Sequence, residues 1–151
     1  MVVMFDRFSA NDAYSMDWIE KDVFKYHLEQ SPQFFHMLEA QGNSYTMFGY
    51  VGARPIVLGI ITLDEQTPKH CYLNMFMSTD IQKRFCKEIL KGLRNFVHEI
   101  LGCYQRVSMD GRTSNTKLAK LCKSLGFTVE GVMRKFGFDG EDYTLFARVK
   151  E

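Results

Sequence analysis

The sequence predicts an α/β (α+β) fold: a mixed, mostly antiparallel sheet of about seven strands flanked by about four helices. Two observations carry this. Apolar spacing switches repeatedly between period 2 and period 3.6 along the chain. The longest apolar run, "IVLGIITL" (56–63), is apolar on both faces, which marks a central strand covered on both sides.

Taken in order, "VVMFDRF" (2–8) reads as a first strand. Over 10–30, Met16, Ile19, Val23 and Tyr26 form one apolar stripe and predict a helix. "SPQFFHMLEAQG" predicts a second, short helix, with Ser31 as N-cap, Pro32 in the first turn and Gly42 past the end. "SYTMFGYV" and "IVLGIITL", joined at "GARP", predict a hairpin. "HCYLNMFM" (70–77) is a fourth strand, and 81–101 a long helix with Ile81, Phe85, Ile89, Phe96 and Ile100 on its stripe. "QRVSM" (105–109) is strand five, and 114–125 a helix with Leu118, Leu121, Cys122 and Leu125 inward. "TVEGVMRKF" and "DYTLFARV" close the chain as a hairpin over an Asp139-Gly140 turn. No repeat or linker interrupts this order, so residues 1–151 read as a single domain.

Composition narrows the function classes. Apolar content of 46% and aromatic content of 14% predict an ordered chain. A formal net charge of +1 gives no reason to expect nucleic acid, although one face of the 81–101 helix is basic. The sequence has neither a membrane-span run nor a signal-peptide profile. Cys71, Cys86, Cys103 and Cys122 form no CxxC pair, so neither a metal site nor a disulfide framework is expected. A cytoplasmic protein with reduced thiols is the simplest expectation. No nucleophile elbow, phosphate-binding P-loop, zinc-protease helix or dinucleotide glycine fingerprint is present.

The segment "NTKLAKLCKSLGFTVEGVMRK" holds the most information. Asn115 opens a helix, Gly126-Phe127 ends it, and Glu130-Gly131 follow in the next strand. Gly126 is able to take positive φ, and Phe127 then enters the core as the strand begins. A glycine cap with a core Phe is common in α/β proteins; the element order gives it a further meaning. Together with "FGYVGARPIVLGIITL", that order resembles the GNAT superfamily of acyl-CoA-dependent N-acyltransferases across essentially the whole chain.

The resemblance implies a set of expectations. Strands four and five should splay, and the cofactor's pantetheine arm should fill the gap, with the 114–125 helix as one wall. The activity implied is transfer of an acetyl group from acetyl-CoA, a co-substrate, to a small-molecule or protein amine by direct attack; no metal is implied. Phe76 and Met77, at the end of strand four, and Asn115 are the matching cofactor positions. The family's pyrophosphate loop, (Arg/Gln)-x-x-Gly-x-(Gly/Ala), falls on "STDIQKRFCKEILKG", and neither register restores a glycine. Gln82, Lys83, Arg84, Phe85, Cys86 and Lys87 stand there; Lys83, Arg84 and Lys87 either replace lost backbone contacts with charge or form a solvated helix face. Many members place a Tyr general acid where this chain has Cys122, which is either a thiol acid or a core residue. For the base, "HCYLNMFM" has no carboxylate. Asp110 is the nearest one, unless it serves the "MDGR" turn; His70 lies at the wrong end of its strand, and Tyr143 faces either the cleft or the core. The alternative is a non-catalytic GNAT-like binding or assembly module, as in small phage-encoded proteins with eroded loops. A homodimer is compatible with either, and the sequence sets no oligomeric state.

Overall fold

A computed structural model describes residues 3–79 and 86–151. In chain order the elements are β1 (Met4–Arg7), α1 (Ala10–Tyr14), α2 (Lys21–Gln30), α3 (Phe34–Gln41), β2 (Ser44–Val51), β3 (Arg54–Thr67), β4 (His70–Met77), α4 (Cys86–Cys103), β5 (Arg106–Arg112), α5 (Thr116–Ser124), β6 (Thr128–Met133) and β7 (Tyr143–Val149). The strands form one sheet in the order β1, β2, β3, β4, β5, β7, β6. β4 and β5 are parallel, whereas β1–β2, β2–β3, β5–β7 and β6–β7 are antiparallel. The mixed, mostly antiparallel sheet is the one expected. No described helix is long and apolar enough to cross a membrane.

Two compact units can be distinguished, Met1–Leu63 with Met75–Gly92, and Asp64–Asn74 with Leu93–Glu151. In the first, β2 and β3 pair from Ser44↔Thr62 to Val51↔Arg54 around Gly52, whose φ is +61°. Residues 58–62 of β3 are buried on both faces, so the strand is central as its apolar run implied. Phe8, Ala10, Ala13, Trp18, Phe35, Leu38 and Ile60 form a core there.

The helix expected over 10–30 is two helices. Trp18 is buried, and its indole N–H donates to the Ala13 carbonyl at 3.2 Å. Around it the backbone leaves the helical path and pairs outward. Ile19 N–H donates to the Met77 carbonyl at 3.1 Å, Thr79 N–H to the Asp17 carbonyl at 2.8 Å, and Trp18 bridges Ser78. Burying one large ring outweighs continuity of a weak stripe. The next helix also starts later than expected. Ser31 ends α2 in an extended conformation, as a residue before proline prefers, and α3 opens after Gln33. Gly42, at φ +72°, closes α3 as its sequence position indicated.

In the second unit, β5 and β7 pair from Arg106↔Val149 to Arg112↔Tyr143. β5 therefore runs three residues beyond the expected Met109. On the buried stripe of α4, Leu93 and Val97 join Ile100, while Phe96 is only half-buried. α5 packs on the face of β5 that carries Met109 and Gly111. Cys122 Sγ lies 3.7 Å from Met109 Sδ, and a Cβ on Gly111 would meet Leu118 Cδ2 at 1.9 Å. The final strands are shorter than expected, since Lys135, at φ +53°, takes the chain out of β6. Its N–H donates to Asp142 Oδ1 at 2.9 Å.

Candidate active site

The abrupt joint at Gly126 is a Schellman motif. Phe127 N–H donates to the Cys122 carbonyl and Gly126 N–H to the Lys123 carbonyl, both at 3.0 Å. Gly126 takes φ +86°, and Phe127 is buried at once at the head of β6. Arg148 adds a third anchor by donating to the Leu125 carbonyl at 3.0 Å. At the other end Asn115 is the N-cap, its side chain accepting Leu118 N–H at 3.1 Å. With Gly111 excluding any side chain beneath Leu118, α5 is fixed at both ends and close to β5.

Against this fixed helix, β5 has one complete edge and one incomplete edge. Its ladder with β4 comprises His70↔Arg106, Cys71↔Val107 and Tyr72↔Ser108, and then stops. Leu73 and Asn74 continue β4 within the same unit, and Met109–Arg112 continue β5, without pairing to each other. Strand alternation puts Ser108, Asp110 and Arg112 on the face opposite α5.

That face carries polar groups arranged diagonally across the parallel ladder. His70 Nε2 and Ser108 Oγ are 2.6 Å apart. One step along, where pairing ends, the Tyr72 hydroxyl donates to the Asp110 carboxylate. At the near end Arg106 forms a two-pronged ion pair with Glu130, which holds the Glu130 carboxyl below its ordinary range. At the far end Arg112 binds Asp139 at 2.9 Å and lies 5.9 Å from the ring centre of Phe138. Tyr143 is opposite Arg112 in the β5–β7 register, half-buried, with its ring 5.5 Å from that of Phe136.

The residues singled out by sequence thus fall in different places. Asp110 lies inside β5, paired with Leu145 and held by Tyr72, and not in a turn. Cys122 is fully buried against Met109 on the opposite face, and burial pushes its thiol up to about 12. Asn115 spends its oxygen on the helix cap. Phe76 and Met77 end β4 in the first unit, Phe76 among aromatic rings and Met77 with its carbonyl bound to Ile19. Cys86 and Lys87 open the described part of α4, with Lys87 exposed. Gln82, Lys83, Arg84 and Phe85 lie outside the described residues. Sequence reasoning missed Tyr72. Its alternation with His70 and Asn74 gave the face, but nothing local gave Asp110 as its partner.

Comparison with known proteins decides the fold. Ard1 from Thermoplasma volcanium superposes with a TM-score of 0.73 at 13% identity, over 100% of this chain and 99% of that one. A GNAT-family acetyltransferase from Bacillus anthracis gives 0.69 at 16% identity, over 99% and 95%. The chain has the GNAT fold. RimL, a ribosomal L7/L12 alpha-N-protein acetyltransferase solved in complex with coenzyme A, gives 0.69 at 14% identity, over 99% and 95%. No family model and no curated protein sequence matches the chain. The likeness is therefore one of fold. In the GNAT fold the early end of the β4–β5 ladder is the expected splay.

Proposed function

We propose that the protein is an acyl-CoA-dependent N-acetyltransferase that moves an acetyl group from acetyl-CoA to an amine. The observation that carries this reading is the β4–β5 ladder, which stops after Tyr72↔Ser108 while both strands continue. Backbone N–H and C=O groups at such an opening take partners other than the neighbouring strand. A pantetheine arm carries amides and matches a strand edge. Two fold neighbours are named as acetyltransferases, one of them solved with coenzyme A, and they support the same reading.

In this reading the arm lies along Leu73 and Asn74, and Asn115 and α5 form the wall. The amine nitrogen attacks the thioester carbon, the C–N bond forms, and the C–S bond then breaks with its electron pair staying on sulfur. An ammonium acceptor sheds two protons on the way to a neutral amide. Asp110, oriented by Tyr72, is the group proposed to take the proton lost by nitrogen in the tetrahedral intermediate and return it to the departing sulfur. Cys122, a thiol that keeps its proton and faces Met109, is less suited to that step. Tyr143, on the same face as Asp110, is proposed to contact the acceptor.

Titration calorimetry with acetyl-CoA, followed by thiol release in the presence of a panel of amines, tests the reading. Micromolar binding and amine-dependent free thiol are expected. No binding at millimolar acetyl-CoA would overturn it and leave a binding module on a GNAT fold.

A further inference from the structure

The outer strand of the second unit has little to protect its edge. β6 pairs with β7 on one side and, among the described residues, with no strand on the other. Its outer N–H and C=O groups therefore form a row on which another strand can pair. Lysine, proline or a very short strand ordinarily blunts such an edge. β1, at the other end of the strand order, is only four residues long and ends in the charged pair Asp6 and Arg7. β6 has six residues, "TVEGVM", with neither lysine nor proline. Its single charge, on Glu130, is held by Arg106 of the same chain.

A bulge gives this edge an apolar face. Val129 lies opposite Phe146 and Val132 opposite Thr144, with the register shift falling between Val129 and Gly131. Phe146 and Thr144 are two residues apart and share one face of β7, so both valines share that face too. In an unbulged strand, residues three apart would point to opposite faces. Val129 is 52% exposed and Val132 53%, so the bulge sets two open valines in a row along an unpaired edge. Thr128, opposite Ala147, and Met133, opposite Tyr143, share the other face. Counting the bulge as one step, β6 is symmetric about Glu130-Gly131, with a valine on either side and Thr128 and Met133 at the ends.

We propose that β6 is a dimerisation edge and that its occupant is β6 of a second copy of this chain. In antiparallel alignment about a two-fold axis at Glu130-Gly131, Val129 is opposite the partner's Val132 and Val132 opposite the partner's Val129. Thr128 and Met133 are matched in the same reciprocal way. The valines then cover one another as cross-strand pairs, and the outer backbone groups of both strands find partners. Glu130 meets the partner's Gly131, which leaves room for the carboxylate. Each glutamate brings its own arginine, so no unpaired charge reaches the axis. An unrelated extended peptide would satisfy the same backbone groups, but a second β6 also matches the side chains at every step. The interface is small, so a dissociation constant in the micromolar range is expected. Dimerisation here requires no acyl-transfer chemistry and stands apart from the reading above.

Sedimentation velocity of the full chain, from micromolar to millimolar concentration, is expected to show a monomer–dimer equilibrium. Val129→Glu and Val132→Lys each set a charge against a valine on both sides of the axis. Each alone should weaken the dimer about tenfold or more. Mixed in equal amounts, the two variants should dimerise again. The mixed pairing sets the new carboxylate against the new ammonium on one side of the axis and restores the valine pair on the other. A parent chain that stays monomeric at millimolar concentration overturns the proposal and leaves the edge to an extended segment of another protein. Variants that dimerise as strongly as the parent overturn it by placing the interface elsewhere, and a mixture that stays monomeric overturns the register. Both substitutions fall at exposed positions, and unchanged urea midpoints check that the variants fold. Hydrogen exchange on the parent needs no variant. The β6 amides directed away from β7 should exchange more slowly as concentration rises, and rates that ignore concentration overturn the proposal as well.

Discussion

β5 treats its two neighbours differently. Toward β7 it pairs from Arg106 through Arg112; toward β4 the pairing ends at Ser108. The same strand, with the same backbone, therefore has one edge that serves stability and another that stops short. The complete edge carries the load. β7 and β6 are stitched to it, and Phe146 and Ala147 are buried between the faces. The incomplete edge ends one step before the place where Tyr72 and Asp110 meet. Sheets ordinarily avoid such openings, because unpaired strand groups are costly unless water or a ligand satisfies them. The contrast assigns mutations to two classes, those that alter chemistry and those that alter stability.

The largest expected effect belongs to the incomplete edge. Asp110→Asn preserves an acceptor for the Tyr72 hydroxyl but removes the carboxylate as a proton carrier. Acetyl transfer should fall about 100-fold, roughly 2.7 kcal/mol in the barrier. Affinity for acetyl-CoA and the urea midpoint should stay near their original values. Tyr72→Phe leaves the carboxylate and loses only its orientation, so a smaller loss, about tenfold, is expected. Steady-state rates that do not change in Asp110→Asn would remove this pair from the chemistry.

The next effect falls on the α5 side of the same strand. Gly111→Ala would bring a methyl to 1.9 Å from Leu118 Cδ2. Leu118 is half-buried and can move only by disturbing a helix pinned by Asn115 and Gly126. A loss of about 1–3 kcal/mol in urea unfolding is expected. Combining it with Leu118→Ala should recover most of the clash while incurring the separate cost of the shortened side chain. If Gly111→Ala is neutral alone, the close seating of α5 on β5 is not a constraint.

Much of this frame was legible because its signals are local. Asn115, Gly126 and Phe127 lie at fixed offsets along one helix, and each offset corresponds to a specific hydrogen bond. The apolar run of β3 announced a central strand for the same reason. What escaped depended on partners far apart in sequence. Tyr72 and Asp110 meet through a diagonal of a parallel ladder, and a strand's alternation gives the face but not the register. Trp18 breaks its helix because of a cavity built by Phe35 and Phe76, which no spacing within 10–30 reveals.

The smallest effect lies at the start of the ladder, where both edges of β5 are still complete. Glu130 sits at a register shift in β6 and receives both prongs of the Arg106 guanidinium. That hydrogen-bonded partner holds its carboxyl below the ordinary carboxylate range. A depressed carboxylate stabilises the fold above its unfolded pKa, and the contribution disappears as pH falls through the folded value. Glu130→Gln should therefore lower stability at neutral pH, by about 0.2–1 kcal/mol for an exposed pair. The difference from the parent should shrink as the pH drops below about 4. Acetyl transfer should not change, because this pair lies at the end of the strand where the ladder is closed. Urea unfolding across that pH range, run beside an activity assay, separates the two edges: a Glu130→Gln variant that lost turnover but kept its stability would reverse the assignment of chemistry to one end of β5 and stability to the other.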